Sequence, residues 1–209
     1  MCPDTSCCIA FKMRPAALVK DALAFETAVK IRLYGEWKVN SNNNLLILGA
    51  GQYGMVAKEI AESMGCFGKI DFLDDINAIA IDKLDSYGAY TDVYAYAIVA
   101  IGNSGVRLDY IRRLQQAKYK IAVLASPKAH ISPSAHIMAG SIIEPMSVIN
   151  TGAAVGAGTI VCAGAVVNHN ATLGDGCLLQ CGSIVTARSS MANGQTLGYG
   201  EIFNGNNVD

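Results

Sequence analysis

The sequence predicts an α/β plus β chain: a small Rossmann-like parallel α/β domain followed by a parallel β-helix of hexapeptide repeats. Two observations carry this reading. From Ile131 to Phe203 every sixth residue is apolar: Ile131, Ile137, Ile143, Ile149, Val155, Val161, Val167, Leu173, Leu179, Val185, Met191, Leu197 and Phe203. Two residues before each stands a small one in eleven of thirteen cases, the exceptions being Gln195 and Glu201. Neither a helix of period 3.6 nor a flat strand of period 2 yields a fixed period of six, whereas a stacked β-helix does. Strand alternation turns the large residue and the small one before it to the same inward side. Three hexads close one triangular coil of about 18 residues, so the run builds a little over four coils. The second observation is an alternation of short apolar runs with helical patterns over about 80 residues upstream, the mark of a parallel α/β unit.

Three segments follow in order. Residues 1–43 form an N-terminal extension. Within it, 15–38 reads as a helix, with Pro15 suited to a first turn and Leu18, Leu23, Phe25, Val29, Leu33 and Trp37 apolar among charged residues. Ser41 to Asn44 is a polar linker. Residues 44–125 are the Rossmann-like domain. Leu45–Leu48 is its first strand and leads into Gly49-Ala50-Gly51-Gln52-Tyr53-Gly54 and a helix over 55–64. Ile70–Leu73 is a second strand, ending in Asp74-Asp75. Tyr96–Ile101 is a third, ending in Gly102-Asn103, with a helix over about 106–117 and a strand over 120–124. Residues 126–209 are the β-helix.

Composition narrows the function. The net charge of −1 gives no electrostatic case for nucleic acid. Apolar residues make up 52%, yet no run approaches the roughly 18 consecutive apolar residues of a membrane span. The hexads account for the excess, and the 16% charged content suggests outer surface buried against other subunits. Seven scattered cysteines argue against a disulfide framework and read as free thiols of a reducing cytoplasm. Cys177 and Cys181 are four apart without a second pair or a neighbouring His, so no metal site is expected. The N-terminus lacks the pattern of a signal peptide.

Gly49-x-Gly51-x-x-Gly54 after a strand and before a helix lets backbone approach a diphosphate at a positive helix N-terminus. Asp74 at the next strand end could hold a ribose hydroxyl. Three readings remain open: a nucleotide-sugar site, an NAD(P) site, or a glycine turn with no ligand. Gly102 and Asn103 belong to the same carboxyl-edge crevice. Arg107 reads equally as a phosphate partner or a solvated helix residue. His169, two residues after an inward position, lies on the outside of the prism, where an imidazole can act as a general base. His130 and His136 read as surface groups.

These motifs together resemble a known family, the bacterial sugar acyltransferases that include sialic-acid O-acetyltransferases and UDP-4-amino-sugar N-acetyltransferases. The resemblance runs from about Leu45 to Val185. It rests on Gly49-Ala50-Gly51 with Gly54, Phe72-Leu73-Asp74-Asp75, Ala100-Ile101-Gly102-Asn103 with Arg107, Ile131-Ser132-Pro133-Ser134-Ala135, and Val167-Asn168-His169-Asn170-Ala171-Thr172-Leu173-Gly174-Asp175. It implies a left-handed β-helix, a homotrimer, and acetyl-CoA as cosubstrate held in grooves between subunits. It implies nucleotide-sugar contacts from Gly51, Gln52, Tyr53, Asp74, Asp75, Gly102, Asn103 and Arg107, and coenzyme contacts from Leu178 and Gly182. It also implies that His169, beside Asn170, takes a proton from the sugar amine or hydroxyl as that atom attacks the thioester. Backbone N–H groups near Gly182 would steady the oxyanion.

The chain departs from the family pattern in three places. Tyr53 stands where a His is common. Asn170 stands where an acidic residue commonly follows the base, and Cys162 where an Asn is common seven residues before it. The last hexads turn polar at Gln195 and Glu201 and the chain stops at Asp209, so part of the coenzyme groove is expected to be missing. The alternative is thus a non-catalytic sugar-nucleotide-binding trimer that has lost transferase activity.

Overall fold

The computed structural model describes residues 43–205. The helix expected over 15–38 lies outside them. Strands β1 (Leu45–Leu48), β2 (Ile70–Leu73), β3 (Tyr96–Val99) and β4 (Lys120–Ile121) pair in parallel in the order β2-β1-β3-β4. All four residues of β1 are buried, which explains its unbroken apolar run: a central parallel strand is covered on both faces. Helix α1 (Gln52–Met64) follows β1 and α2 (Ser104–Gln116) follows β3. A 3₁₀ segment over Leu84–Tyr90 lies between β2 and β3. No helix among the described residues is long and apolar enough to cross a membrane.

The remaining described residues form a left-handed parallel β-helix of two-residue strands, from β5 (Leu124–Ala125) to β18 (Ile202–Phe203). The strands form three parallel stacks. The first face is β5-β8-β11-β14-β17, the second β6-β9-β12-β15-β18, and the third β7-β10-β13-β16. Partners are one coil apart, as in Leu124↔Ile142, Ile160↔Leu178 and Val166↔Ile184. The inward positions read from the hexads, with Ala135, Ala153, Ala165, Ala171 and Cys177 two residues before, form one buried cluster. Where the small residue is Ser or Thr, its hydroxyl bonds locally: Ser141 and Thr159 donate to the carbonyls of Gly156 and Gly174 at 3.0 Å. Ser183 Oγ alone among the buried side-chain polar atoms described has no partner.

From Gly140 onward each corner turns on a residue of positive φ, and most of these are glycine, which has no Cβ to clash there. Met146 (φ 63°), Asn170 (55°) and Arg188 (59°) fill the same slot with side chains. Asn tolerates this region better than most residues.

The prism takes up the chain one hexad earlier than the repeat suggested. The run 120–124, read as one strand, splits in two. Lys120–Ile121 pairs with β3, while Leu124 donates its N–H to Ser141 O at 3.0 Å and so opens the first coil. The outward residues of the first face, Leu124, Ile142, Ile160 and Leu178, are apolar and buried in one cluster with Leu45, Ile47, Ala57 and Ile60 of the α/β domain. That part of the low surface charge is therefore explained within one chain.

Arg107 locks this arrangement. It is 0% exposed. Its Nε donates to Gly158 O at 2.6 Å and its Nη2 to Gly176 O at 2.8 Å, both at one prism corner. Its Nη1 donates to Ile101 O and Gly102 O, at 2.6 and 2.8 Å, on the loop after β3. The guanidinium thus ties two coils to the carboxyl edge of the α/β sheet. This corrects its reading as a phosphate partner or a solvated residue: its donors are spent on buried carbonyls.

Replacing Arg107 with Met should cost at least about 3 kcal/mol, because several buried carbonyls lose a charged donor at once. Arg107→Lys should recover only part of this, since an ammonium cannot reach both domains with a planar fork. Urea unfolding of the two variants checks this, and a loss under about 1 kcal/mol for the Met variant would contradict it.

Candidate functional site

The first group of candidate residues surrounds the carboxyl edge of β1, β2 and β3. Gly49 takes φ 101°, and a Cβ on Gly54 would lie 2.1 Å from Gly49 O, so the strand and α1 approach only because Gly54 is glycine. A Cβ on Gly51 would meet nothing within 4 Å. Gly51 and Gln52 are exposed at the start of α1, whose first turn carries no acidic residue. The positive end of this helix thus faces open space, the arrangement an anionic diphosphate needs.

Asp74 does different work from the one its motif suggested. Oδ2 accepts from Ala50 N at 2.7 Å, and Oδ1 accepts from the N–H groups of Ile76 and Asn77, each at 2.9 Å. These donors, Ala50 first, pull its pKa below the usual carboxylate value. Asn77 Nδ2 returns a bond to Ala50 O at 2.7 Å. Asp74 therefore pins the glycine loop to the end of β2. Asp75 is exposed and its Oδ1 accepts from Leu84 N at 3.1 Å. Asn103 is likewise engaged, capping α2 by accepting from Val106 N at 3.0 Å. A Cβ on Gly102 would lie 3.3 Å from the Tyr53 ring, so the missing side chain makes room for that ring.

Tyr53 carries the loop across to the prism. Gln180 Nε2 reaches its hydroxyl at 3.5 Å, and Cys162, Tyr199 and Glu144 act on it electrostatically. Burial raises the Tyr53 pKa. Glu144, Cys162 and Gln180 each follow an inward residue, and they stack in successive coils at the corner between the first and second faces. Glu144 is buried, accepts from Ala163 N at 2.9 Å, and burial raises its carboxyl pKa. Burial also raises the Cys162 thiol strongly. The sequence reading missed this column. The signal was available, because positions one coil apart must stack.

His169 sits at a different corner, between the second and third faces, after β12 (Val166–Val167) and before β13 (Thr172–Leu173). It is exposed. Its N–H donates to Asn168 Oδ1 at 2.9 Å and its carbonyl accepts from Arg188 N at 3.1 Å. No side-chain bond reaches its imidazole among the described residues. Asn170 occupies the positive-φ slot and leans over Gly152, where a Cβ would lie 2.3 Å from its Oδ1. Beside them lies a depression of about 390 Å³ lined by Asn170, Thr172, Arg188, Ser189 and Ser190.

The two coenzyme candidates fall elsewhere. Leu178 is 8% exposed within the interdomain core, so it is not open to a ligand in this chain. Gly182 is exposed with open space above it, but its N–H is spent on Ala163 O at 3.1 Å and is no oxyanion donor. It also stands on the Tyr53 corner, not the His169 corner.

The α/β domain therefore straddles the first face. It holds one flanking corner through Arg107 and touches the other through Tyr53. His169 lies on the third corner, opposite.

Comparison with known proteins agrees with this architecture. Residues 44–114 match the family described as the PglD N-terminal domain. The acetyltransferase domain of PglB from Neisseria gonorrhoeae, solved in complex with acetyl coenzyme A, is 28% identical, with a TM-score of 0.73 over 77% of this chain and 82% of that one. WeeI from Acinetobacter baumannii shares the fold at 16% identity, with a TM-score of 0.69 over 77% and 80% of the two chains. So does a perosamine N-acetyltransferase variant from Caulobacter crescentus solved with CoA and GDP-perosamine, at 17% identity and a TM-score of 0.51 over 76% and 90%. The chain thus combines a PglD-type N-terminal domain with a hexapeptide left-handed β-helix. The resemblance to bacterial sugar acetyltransferases drawn from its motifs is borne out.

Asp74→Asn should loosen the glycine loop and lower the melting temperature at neutral pH. The folded-state pKa of Asp74 is depressed, so its contribution is present above the unfolded value of about 4 and is lost as pH falls through the lower folded value. The gap between wild type and variant should shrink as pH falls below about 4. A gap that stays constant or widens with acid contradicts the role given to this carboxylate.

Proposed function

We propose that the protein is an acetyl-CoA-dependent acetyltransferase acting on an amino or hydroxyl group of a nucleotide-linked sugar, with His169 as general base. The observation that carries this reading is the opposition of the two groups. The glycine loop lies on one side of the prism and His169 on the far corner, so neither completes a site within one chain. In a homotrimer of parallel prisms the His169 corner of one copy meets the loop side of the next, and a closed three-fold ring repeats that contact.

In this arrangement the diphosphate rests on the N–H groups at the start of α1, with Gly51, Gln52 and the exposed Asp75 near the ribose and sugar. The coenzyme lies along the groove beside Asn170, where Arg188 offers a cation to its phosphates. His169 accepts the proton of the sugar N–H or O–H as that atom attacks the thioester carbonyl. The tetrahedral intermediate collapses, the C–S bond breaks, and the imidazolium returns its proton to the departing thiolate. The products are the acetylated sugar and free CoA. No metal enters these steps. Acetyl-CoA and the free thiols both suit a cytoplasmic site. The gonococcal relative's complex with acetyl coenzyme A supports the cosubstrate.

Asn170 favours a second reading. A neutral amide can orient an imidazole but does not stabilise its charged form as a carboxylate would. A trimer that binds nucleotide-sugar without turning it over has this feature too. Release of free thiol from acetyl-CoA, screened against UDP- and GDP-linked amino sugars, separates the two. The transferase reading expects sugar-dependent release and a fall in kcat of about 10²–10⁴ in His169→Ala, with nucleotide-sugar affinity retained. Binding of the sugar without thiol release in the wild type would establish the second reading instead.

A further inference from the structure

The corner reached by Tyr53 holds a second constellation, which the transfer chemistry does not use. The donor atoms of Glu144, Cys162 and Cys181 all lie within 4.8 Å of one another. We propose that these three residues form a Zn²⁺ site on the prism, with water completing a tetrahedral sphere.

Three observations lead there. First, the donors come from three successive coils, and the coils are fixed by backbone bonds before any ion arrives. Glu144 N donates to Val161 O, and Cys162 N to Leu179 O, both at 2.9 Å. A ligand set on so rigid a frame needs little rearrangement to bind. Second, Glu144 is 8% and Cys162 2% exposed, yet no Lys or Arg ion pair reaches Glu144 among the described residues. A buried carboxylate without a countercharge is costly, and a divalent cation removes that cost. Third, the donor chemistry selects the ion. Two sulfurs and one carboxylate oxygen suit Zn²⁺, whereas Mg²⁺ and Ca²⁺ require oxygen ligands.

Binding releases two thiol protons to solvent, forms two Zn–S bonds and one Zn–O bond, and involves no oxidant or reductant. Cys181 is exposed, which gives the ion a way in and leaves the fourth position to water. The sequence pattern concealed this set. Cys177 and Cys181, the pair with ligand-like spacing, are not its members: Cys177 points into the prism core, whereas Cys162 and Cys181 meet only because the chain returns after one coil.

Co²⁺ serves as the probe, since thiolate ligation gives it charge-transfer absorption that aqueous Co²⁺ lacks. The titration uses the full chain in a Cys2→Ser, Cys7→Ser, Cys8→Ser background, which removes the three thiols outside the described residues. The expected result is absorption saturating at one equivalent per chain and abolished by one equivalent of Zn²⁺. Cys181→Ser, at an exposed position, should at least halve the thiolate absorption at saturation and weaken Co²⁺ binding while the far-UV circular dichroism stays unchanged. Glu144→Gln should weaken binding by more than about tenfold. Absence of thiolate-to-metal absorption, absorption and affinity undiminished in Cys181→Ser, or a Cys162–Cys181 disulfide formed in its place under reducing buffer would each overturn the proposal.

Discussion

One guanidinium sets the geometry on which the functional reading rests. Arg107 reaches Ile101 O and Gly102 O on the α/β side, and Gly158 O and Gly176 O on the prism. Each carbonyl lies at the end of a regular strand or at a corner, where no backbone partner is available. An arginine satisfies all of them at once because its donors are fixed in a plane. The consequence is orientation. The α/β domain is held on one face of the prism, the glycine loop is carried towards one corner by Tyr53, and His169 is left on the corner opposite.

That layout separates the roles of the two domains. The loop after β1 has a glycine in the positive-φ region, a glycine without space for a side chain, and an uncapped helix start, all braced by Asp74, a geometry that suits the anionic diphosphate of the proposed substrate. The prism supplies rigid, evenly spaced corners, on which any outward side chain lies one coil above an equivalent one. His169 and the depression beside Arg188 use one corner, and the Glu144–Cys162–Gln180 column uses another. Function on this scaffold is a matter of which corner a side chain occupies and which surface is brought against it.

Much of this was legible in the sequence, for a definite reason. The interior of the prism admits one large residue per hexad and little else, so the register from Ile131 to Phe203 could not drift without breaking the core. The glycine loop was legible because Gly54 has no alternative. What escaped was whatever depends on two elements meeting. Ile121 to Leu124 is one apolar run, yet its halves belong to different sheets. Leu178 stands at an outward position of its own repeat and becomes interior only because the α/β domain covers that face. Arg107 looks like a surface residue on α2 until the carbonyls of coils 51 and 69 residues away come within reach. Asp74 matched a ribose-binding pattern, but Ala50 N of the glycine loop claimed one of its oxygens and the N–H groups of its own turn claimed the other.

In the proposed trimer a working site needs the loop of one copy and His169 of another. Mixed assembly tests it directly. A chain inactivated by His169→Ala is co-expressed with one inactivated in the glycine loop by Gly51→Asp, and thiol release by the mixed trimers is measured. If the site is shared, random mixing places an intact loop against an intact His169 at about one contact in four, and roughly a quarter of wild-type activity returns. If the mixture stays as inactive as its parents while both parents still assemble as trimers, the site lies within a single chain and the account is wrong.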